Sequence, residues 1–283
     1  MLTEEQIQRI ELKATEIRKD IIEMLLMAGS GHSAGPLGIT DVFATLYFSG
    51  ILNWDPIDPW NNQRDRVILS AGHLCPVWYA TLSHAGAFSH QDLMTLRKMG
   101  SLLQGHPHFR ELPGVENSGG PLGQGLSQAI GHAMAARMNL EKYRTYCVMS
   151  DGELQEGSNW EAFMFAANKK LHNLTVIIDR NHIQIDGYTE DIMPLEPLTN
   201  KLRAFGWNVR DIDGHNVKKI GQEIEKAKND TTGPVVIIAH TVAGKGVELM
   251  EGDFVWHGKT PNKQQSVEAL KQLRSLWGKI TSE

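Results

Sequence analysis

At 283 residues the chain is long enough to bury a sizeable core, and its formal charge of −5 with a pI near 6.2 argues against nucleic acid or an anionic membrane as its main partner, because both select basic surfaces. No apolar run approaches the length of a membrane span, and the amino-terminal segment lacks the apolar core and cleavage site of a secretory signal, so a cytoplasmic location is expected. The two cysteines, Cys75 and Cys147, lie far apart among apolar neighbours, as buried thiols do, and no disulfide framework is suggested.

In chain order, helical periodicity is expected over 3–28 and 39–49, a β-branched run near 66–70, and a helix over 76–86. A segment rich in Gly, Pro and His follows between about 99 and 125, too long for an idle connection and expected to be a binding loop. Beyond it come a helix over 124–139, a strand near 145–149, a helix over 157–170, strands near 174–178 and 207–212, a helix over 216–229 and a strand near 234–239. A last helix is expected from Gln264 to about Trp277. Strands alternating with helices imply an α/β fold, a mostly parallel doubly wound sheet with helices on both faces, in a single domain over 1–283.

Two turns carry the strongest chemistry. Ser150-Asp151-Gly152-Glu153 and Asp179-Arg180-Asn181-His182-Ile183 each follow an apolar run, so both are expected at the carboxyl ends of buried strands, the edge where open parallel sheets bind ligands. An Asp carboxylate, an Asn amide oxygen and a nearby backbone carbonyl are hard oxygen ligands suited to Mg²⁺, which completes its shell with phosphate oxygens and water. Either piece alone is also what ordinary strand-capping turns contain. Together, in this order, they read as a clamp for a metal-bound diphosphate.

Gly119-Gly120-Pro121-Leu122-Gly123-Gln124-Gly125 precedes the helix starting near Leu126, where backbone amides favour anions, although a tight structural turn is an equal reading. Four of the histidines that sit beside glycine stand out: Gly31-His32, Gly72-His73, Gly105-His106-Pro107 and His257-Gly258. None has cysteines at zinc spacing and no His-Glu-x-x-His helix occurs, so no metal is assigned to them. Imidazoles in turns suit the hydroxyls and phosphate of a sugar.

Ser30-Gly31-His32, Gly72-His73, Gly105-His106-Pro107, Gly120-Pro121-Leu122-Gly123-Gln124-Gly125, Asp151-Gly152-Glu153-Leu154-Gln155-Glu156-Gly157 and Trp256-His257-Gly258 resemble transketolase motifs in transketolase order, over nearly the whole chain. The stretch from Asp151 to Asn181 is similar to the thiamine diphosphate fingerprint, with Ser150 where that family usually has Gly. The resemblance implies that Asp151, Asn181 and the carbonyl of Ile183 hold Mg²⁺, or Ca²⁺ or Mn²⁺ in its place, against the diphosphate. It implies cofactor contacts from His73, Gly120, Pro121, Gly152, Asn181 and His257, with Leu122 and Ile185 flanking the thiazolium. His32, His106 and His257 would face the sugar, and Glu156 would lie at a subunit contact. The chain resembles only the amino-terminal, diphosphate-binding part of a usual transketolase. The pyrimidine-binding and carboxyl-terminal domains are therefore expected on a separate subunit, with two copies of each polypeptide. The implied activity is transfer of a two-carbon ketol unit from a ketose phosphate to an aldose phosphate. A subunit of another thiamine enzyme, similar to deoxyxylulose phosphate synthase or a 2-oxo acid dehydrogenase, and a non-catalytic cofactor-binding subunit are the alternatives.

Overall fold

A computed structural model describes residues 2–282. The chain opens with α1 (Glu4–Ala28), α2 (Ala34–Gly38) and α3 (Thr40–Phe48). Thr3 starts α1 through a reciprocal cap: its hydroxyl accepts from the Gln6 amide, and the Gln6 side chain accepts from the Thr3 amide. Gly29 ends α1 in the left-handed region at φ 68°, where a side chain would be strained.

Next come β1 (Arg66–Leu69), α4 (Cys75–His84), α5 (Gly125–Met138), β2 (Thr145–Ser150), α6 (Gly157–Asn168) and β3 (Leu174–Arg180). A short hairpin, β4 (Ile183–Gln184) and β5 (Gly187–Tyr188), leads into α7 (Thr189–Ile192) and α8 (Leu198–Ala204). The chain then runs through β6 (Asn208–Asp213), α9 (Val217–Asn229), β7 (Val235–His240) and α10 (Lys263–Ser282).

Among the described residues, five parallel strands form one sheet in the order β1-β2-β3-β7-β6. Side chains alternate between two cores. Val67, Leu69, Tyr146, Val148, Ile177, Val235 and Ile237 face the core shared with α1, α3, α4 and α9. Ile68, Cys147, Met149, Val176, Ile178, Val236 and Ile238 face the one shared with α5, α6 and α8. Apolar burial on both faces is why these strands read as continuous hydrophobic runs rather than alternating ones. The fold is the doubly wound parallel α/β arrangement expected from the sequence.

Each helix and strand expected from periodicity is present, and α10 runs past Trp277 to Ser282. The additions are α2, the β4–β5 hairpin, α7 and α8, all too short for periodicity to mark. Among the described residues no helix is long and apolar enough to cross a membrane.

A buried ionic knot fixes the segment beyond β7. The Arg18 guanidinium donates to both oxygens of Asp41 at 3.0 and 2.7 Å, and His215 Nδ1 lies 2.7 Å from Asp41 Oδ2. The Val242 amide donates to His215 Nε2 at 2.8 Å, so the ring proton sits on Nδ1 and points to Asp41. The 99–125 segment is pinned as firmly. Glu116 accepts two bonds from Arg64 at 2.6 and 2.8 Å, and the Asn117 amide pairs with the Leu69 amide and carbonyl like an extra strand.

Candidate active site at the carboxyl edge of the sheet

Strand register builds the centre of the site. Ser150 pairs with Asp179 across β2 and β3, so the residues that follow, Asp151 and Asn181, emerge side by side at the carboxyl edge. Asp151 opens the 3₁₀ turn Gly152–Gln155, its Oδ1 accepting from the Gly152 amide at 2.7 Å. Its Oδ2 accepts from the His182 amide at 2.7 Å and from Arg180 Nη1 at 2.9 Å. Asn181 donates through Nδ2 to Asp179 Oδ2 at 2.8 Å, which leaves Oδ1 facing the turn, where it accepts from the Ile183 amide at 3.1 Å.

This donor set fits a hard divalent cation. A carboxylate offers about four acceptor positions and an amide oxygen two, so Asp151 and Asn181 each keep roughly one unused after these bonds. The Ile183 carbonyl oxygen lies 3.7 Å from where a side chain on Gly152 would begin, and that side chain would meet Gln184 Cβ at 2.9 Å. Only glycine leaves this approach open. Burial raises Asp151 to about 6 despite Arg180 beside it, and raises Asp179 to about 7 against its bonds from Thr241 and Asn181, with Asp151 adding repulsion. Positive charge placed here would stabilise both carboxylates.

Above this turn lies a cavity of about 340 Å³. Four imidazoles converge on it: His32 stands 5.2 Å from His73, 6.2 Å from His106 and 5.6 Å from His257, and His73 stands 4.9 Å from His257, all between ring centroids. Each reaches the cavity by a pinned turn. The Gly119 amide donates to the Pro107 carbonyl at 2.9 Å beside His106, and the Ser33 hydroxyl next to His32 donates to the Trp256 and Lys259 carbonyls around His257 at 3.2 and 2.6 Å. Gly72 lets the Gly119–Gly120 backbone close over His73, since a side chain there would sit 2.6 Å from the Gly120 nitrogen. Burial is the main cause that lowers the pKa of all four histidines, with repulsion from one another or from Arg97 added for His32, His73 and His106. His32 falls to about 4. At neutral pH the cluster is uncharged.

Of the residues singled out from sequence, His32, His73, His106, His257, Gly120, Leu122, Gly152, Glu156, Ile183 and Ile185 line the cavity. Asp151 and Asn181 are buried behind its wall, reached through Gly152 and Ile183. Pro121 is exposed and outside the lining, because Gly120 and Leu122 on either side of it turn inward. Leu122 and Ile185 are also 37% and 64% exposed, at the open rim.

Two functional residues carry no role in the sequence reading. Glu153 is fully buried, accepting from the Ser70 hydroxyl, from the Gly123 amide at 2.8 Å and from the Ser150 amide at 3.3 Å, so it ties the Gly-rich loop to β2. Burial raises its pKa to about 7. Arg180 is fully buried as well, bonded to Asp151, to Glu190 at 2.7 Å and to Glu196 at 2.8 Å. The only signal for either is its place inside the two motifs.

Residues 10–279 match the family described as "Transketolase, thiamine diphosphate binding domain". The chain is 39% identical to an apulose-4-phosphate transketolase subunit of Phocaeicola vulgatus over 98% of both chains. It is 40% identical to a 6-deoxy-6-sulfo-D-fructose transketolase subunit of a Clostridium species over 96% of this chain and 98% of that one. Against human transketolase the identity is 33% over 96% of this chain but only 43% of the human one. Among solved structures, Campylobacter jejuni transketolase superposes with a TM-score of 0.84 at 31% identity, over 98% of this chain and 48% of that one. Pichia stipitis transketolase in complex with sedoheptulose 7-phosphate superposes with 0.87 at 30%, over 96% and 41%. The chain thus spans less than half of these longer transketolases. With the clamp, the cavity and these likenesses together, the chain belongs to the transketolase family, as its amino-terminal, thiamine diphosphate-binding part.

Proposed function

We propose that this chain is one diphosphate-binding domain, the amino-terminal subunit of a two-subunit transketolase that moves a two-carbon ketol unit from a ketose phosphate to an aldose phosphate. The observation that carries this reading is the likeness to proteins named as transketolase subunits, 39% and 40% identical over 98% of their length. The rim supports it too. Glu156, Leu122 and Ile185 are exposed at the cavity mouth, and Met164 and Phe165, more than two turns further along α6, expose 54% and 42% of their surface. Apolar side chains exposed at the rim of a half-open cavity and along the helix that leads from it suit a second polypeptide that covers both. Two copies of each subunit are the simplest closed assembly.

Thiamine diphosphate, when bound, supplies the electron sink for carbon–carbon cleavage, and the protein supplies position and protons. Asp151, Asn181 and the Ile183 carbonyl would hold Mg²⁺, while Gly120 and Gly152 admit the cofactor close to the backbone. Leu122 and Ile185 would flank its ring. His32, His106 and His257, being neutral, can accept a proton from a sugar hydroxyl or donate a hydrogen bond to it, and His73 backs them as a cofactor contact. Glu156 would bridge to the partner.

The test is reconstitution. The purified chain, mixed with the product of a neighbouring gene carrying the missing domains, is expected to transfer ketol units with thiamine diphosphate and Mg²⁺, and neither polypeptide to do so alone. The donor and acceptor panel includes apulose 4-phosphate and 6-deoxy-6-sulfo-D-fructose, for which the subunit-length relatives are named. Robust transfer by the single chain would refute the two-subunit reading.

A further inference from the structure

At the end of α4 opposite His73, three side chains from separate elements converge. α4 has ten residues, so His84 in its last turn lies about 15 Å along the axis from the cavity end. Asp20 reaches the same point from α1, and His90 from the 3₁₀ turn His90–Thr95. Asp20 Oδ2 is 2.6 Å from His84 Nε2, and Asp20 Oδ1 is 3.3 Å from His90 Nε2. One ligand atom from each residue lies within 4.8 Å of the others. The Asp20 and His84 side chains are 9% and 14% exposed and His90 is 54% exposed, so the cluster opens to solvent on one side.

We propose that Asp20, His84 and His90 bind a divalent transition metal ion of the zinc type, through one carboxylate oxygen and two Nε2 atoms, with water in the fourth position. Ligand atoms around a tetrahedral zinc at about 2.0–2.1 Å stand about 3.3 Å apart. Asp20 Oδ1 and His90 Nε2 have that spacing, while the 2.6 Å contact to His84 is made by the other oxygen, Oδ2, so the carboxylate must turn to present one oxygen to both rings.

Metal binding through Nε2 also sets what the second nitrogen of each ring must do. An imidazole that binds metal through Nε2 carries its proton on Nδ1 and needs an acceptor there. His90 Nδ1 lies 3.3 Å from the Ser83 hydroxyl, and His84 Nδ1 lies 3.8 Å from Glu16 Oε2. In the metal-free chain Lys13 Nζ, which pairs with Glu16 at 2.5 Å, donates to His84 Nδ1 at 3.3 Å and leaves the ring proton on Nε2 facing Asp20. A bound ion must therefore displace that proton and turn Nδ1–H towards Glu16 in place of Lys13. The carboxyl end of α4 adds partial negative charge beside His84. Two imidazoles and one carboxylate suit zinc, cobalt or nickel, whereas Mg²⁺ prefers oxygen alone. This site and the clamp at Asp151 therefore select different ions. Without metal the same groups make a hydrogen-bonded cluster, and experiment separates the two.

The metal-stripped full chain is titrated with Zn²⁺ in excess Mg²⁺ by calorimetry, and with Co²⁺ by visible absorption. One ion per chain is expected, with micromolar or tighter affinity, a tetrahedral cobalt spectrum and a Zn²⁺-dependent rise in Tm. His90→Gln changes a largely exposed side chain and Asp20→Asn keeps its shape. Each is expected to weaken binding at least about 100-fold and to abolish the Tm rise, while Glu16→Gln weakens it about tenfold. His32→Ala and His257→Ala are expected to bind Zn²⁺ as the wild type does. Loss of binding in those two variants but not in His90→Gln would place the ion in the cavity and overturn the assignment. A wild type that shows no stoichiometric binding would overturn it equally, leaving a metal-free cluster.

Discussion

Acid should unfold the cofactor-free protein partly through His32. An unfolded imidazole takes its proton near pH 6.5, whereas burial, then His257, His106 and Arg97, hold His32 down to about 4 in the folded state. Between those values the unfolded chain binds more protons than the folded one, so stability rises with pH. The His32 contribution is complete above the unfolded pKa and is lost as pH falls towards the folded one. It amounts to about 3 kcal/mol across the window, a large share of the stability of an ordinary domain. The raw pH profile will not show this cleanly. Asp151, Glu153 and Asp179, raised by burial to about 6, 7 and 7, lose stability in the opposite direction, as pH rises from the unfolded carboxylate range through those values. His32→Gln removes the titrating group and keeps a neutral polar side chain. Urea unfolding of both proteins at intervals from about pH 7.5 to about pH 4 gives two curves whose difference isolates His32. The wild type should lose about 3 kcal/mol relative to the variant over that range. Parallel curves would mean that His32 titrates as in water, and the neutral cluster would be refuted.

Further consequences are open to direct measurement. Asp151→Ala and Asn181→Ala should each weaken Mg²⁺-dependent binding of thiamine diphosphate by calorimetry. Asp151→Ala should also cost about 1–3 kcal/mol in urea unfolding, because the Gly152 and His182 amides lose their acceptor while Arg180 keeps Glu190 and Glu196. In the reconstituted enzyme, His32→Ala and His257→Ala should lower kcat or raise KM for the sugar while cofactor affinity holds, and unchanged kinetics for every acceptor would remove both from the substrate side. Gly72→Ala should lower stability by about 1–3 kcal/mol, since its methyl would sit 2.6 Å from the Gly120 nitrogen, and an unshifted Tm would show that the Gly-rich loop moves aside freely.

Much of the fold is legible in the sequence for a plain reason. Strands β2, β3 and β7 are buried on both faces, so their residues form apolar runs that no helix of the same length would need. The stripe of α10 is fainter, with Ala269 and Leu273 buried against α1 and most other positions partly or fully exposed, and its end is correspondingly harder to place. Short elements without an apolar run, such as β4, β5 and α8, leave no such mark. The site divides the same way. Asp151, Asn181 and the Gly-flanked histidines sit in turns whose composition marks them. Glu153 and Arg180 sit in the same turns, yet their importance comes from partners contributed by Ser70, Gly123, Glu190 and Glu196, which only folding brings together. The convergence of Asp20 with His84, 64 positions away, is likewise invisible before the helices pack.

The charges in the cavity narrow how a diphosphate can be held there. Four histidines line or approach the position, but burial keeps them neutral at pH 7, so they offer hydrogen bonds and no net positive charge. Arg180 is cationic and close, yet it is fully buried behind the wall and engaged with Asp151, Glu190 and Glu196. Among the described residues no lysine or arginine lines the cavity. What the wall presents instead is a set of oxygen donors with unused acceptor capacity, at a glycine turn too narrow for any side chain. A diphosphate approaching such a surface meets repulsion unless a divalent cation comes with it, so the proposed Mg²⁺ is the electrostatic condition for binding. Cofactor affinity measured against Mg²⁺ concentration should therefore collapse towards zero metal, and tight binding in its absence would require a cation that this wall does not display.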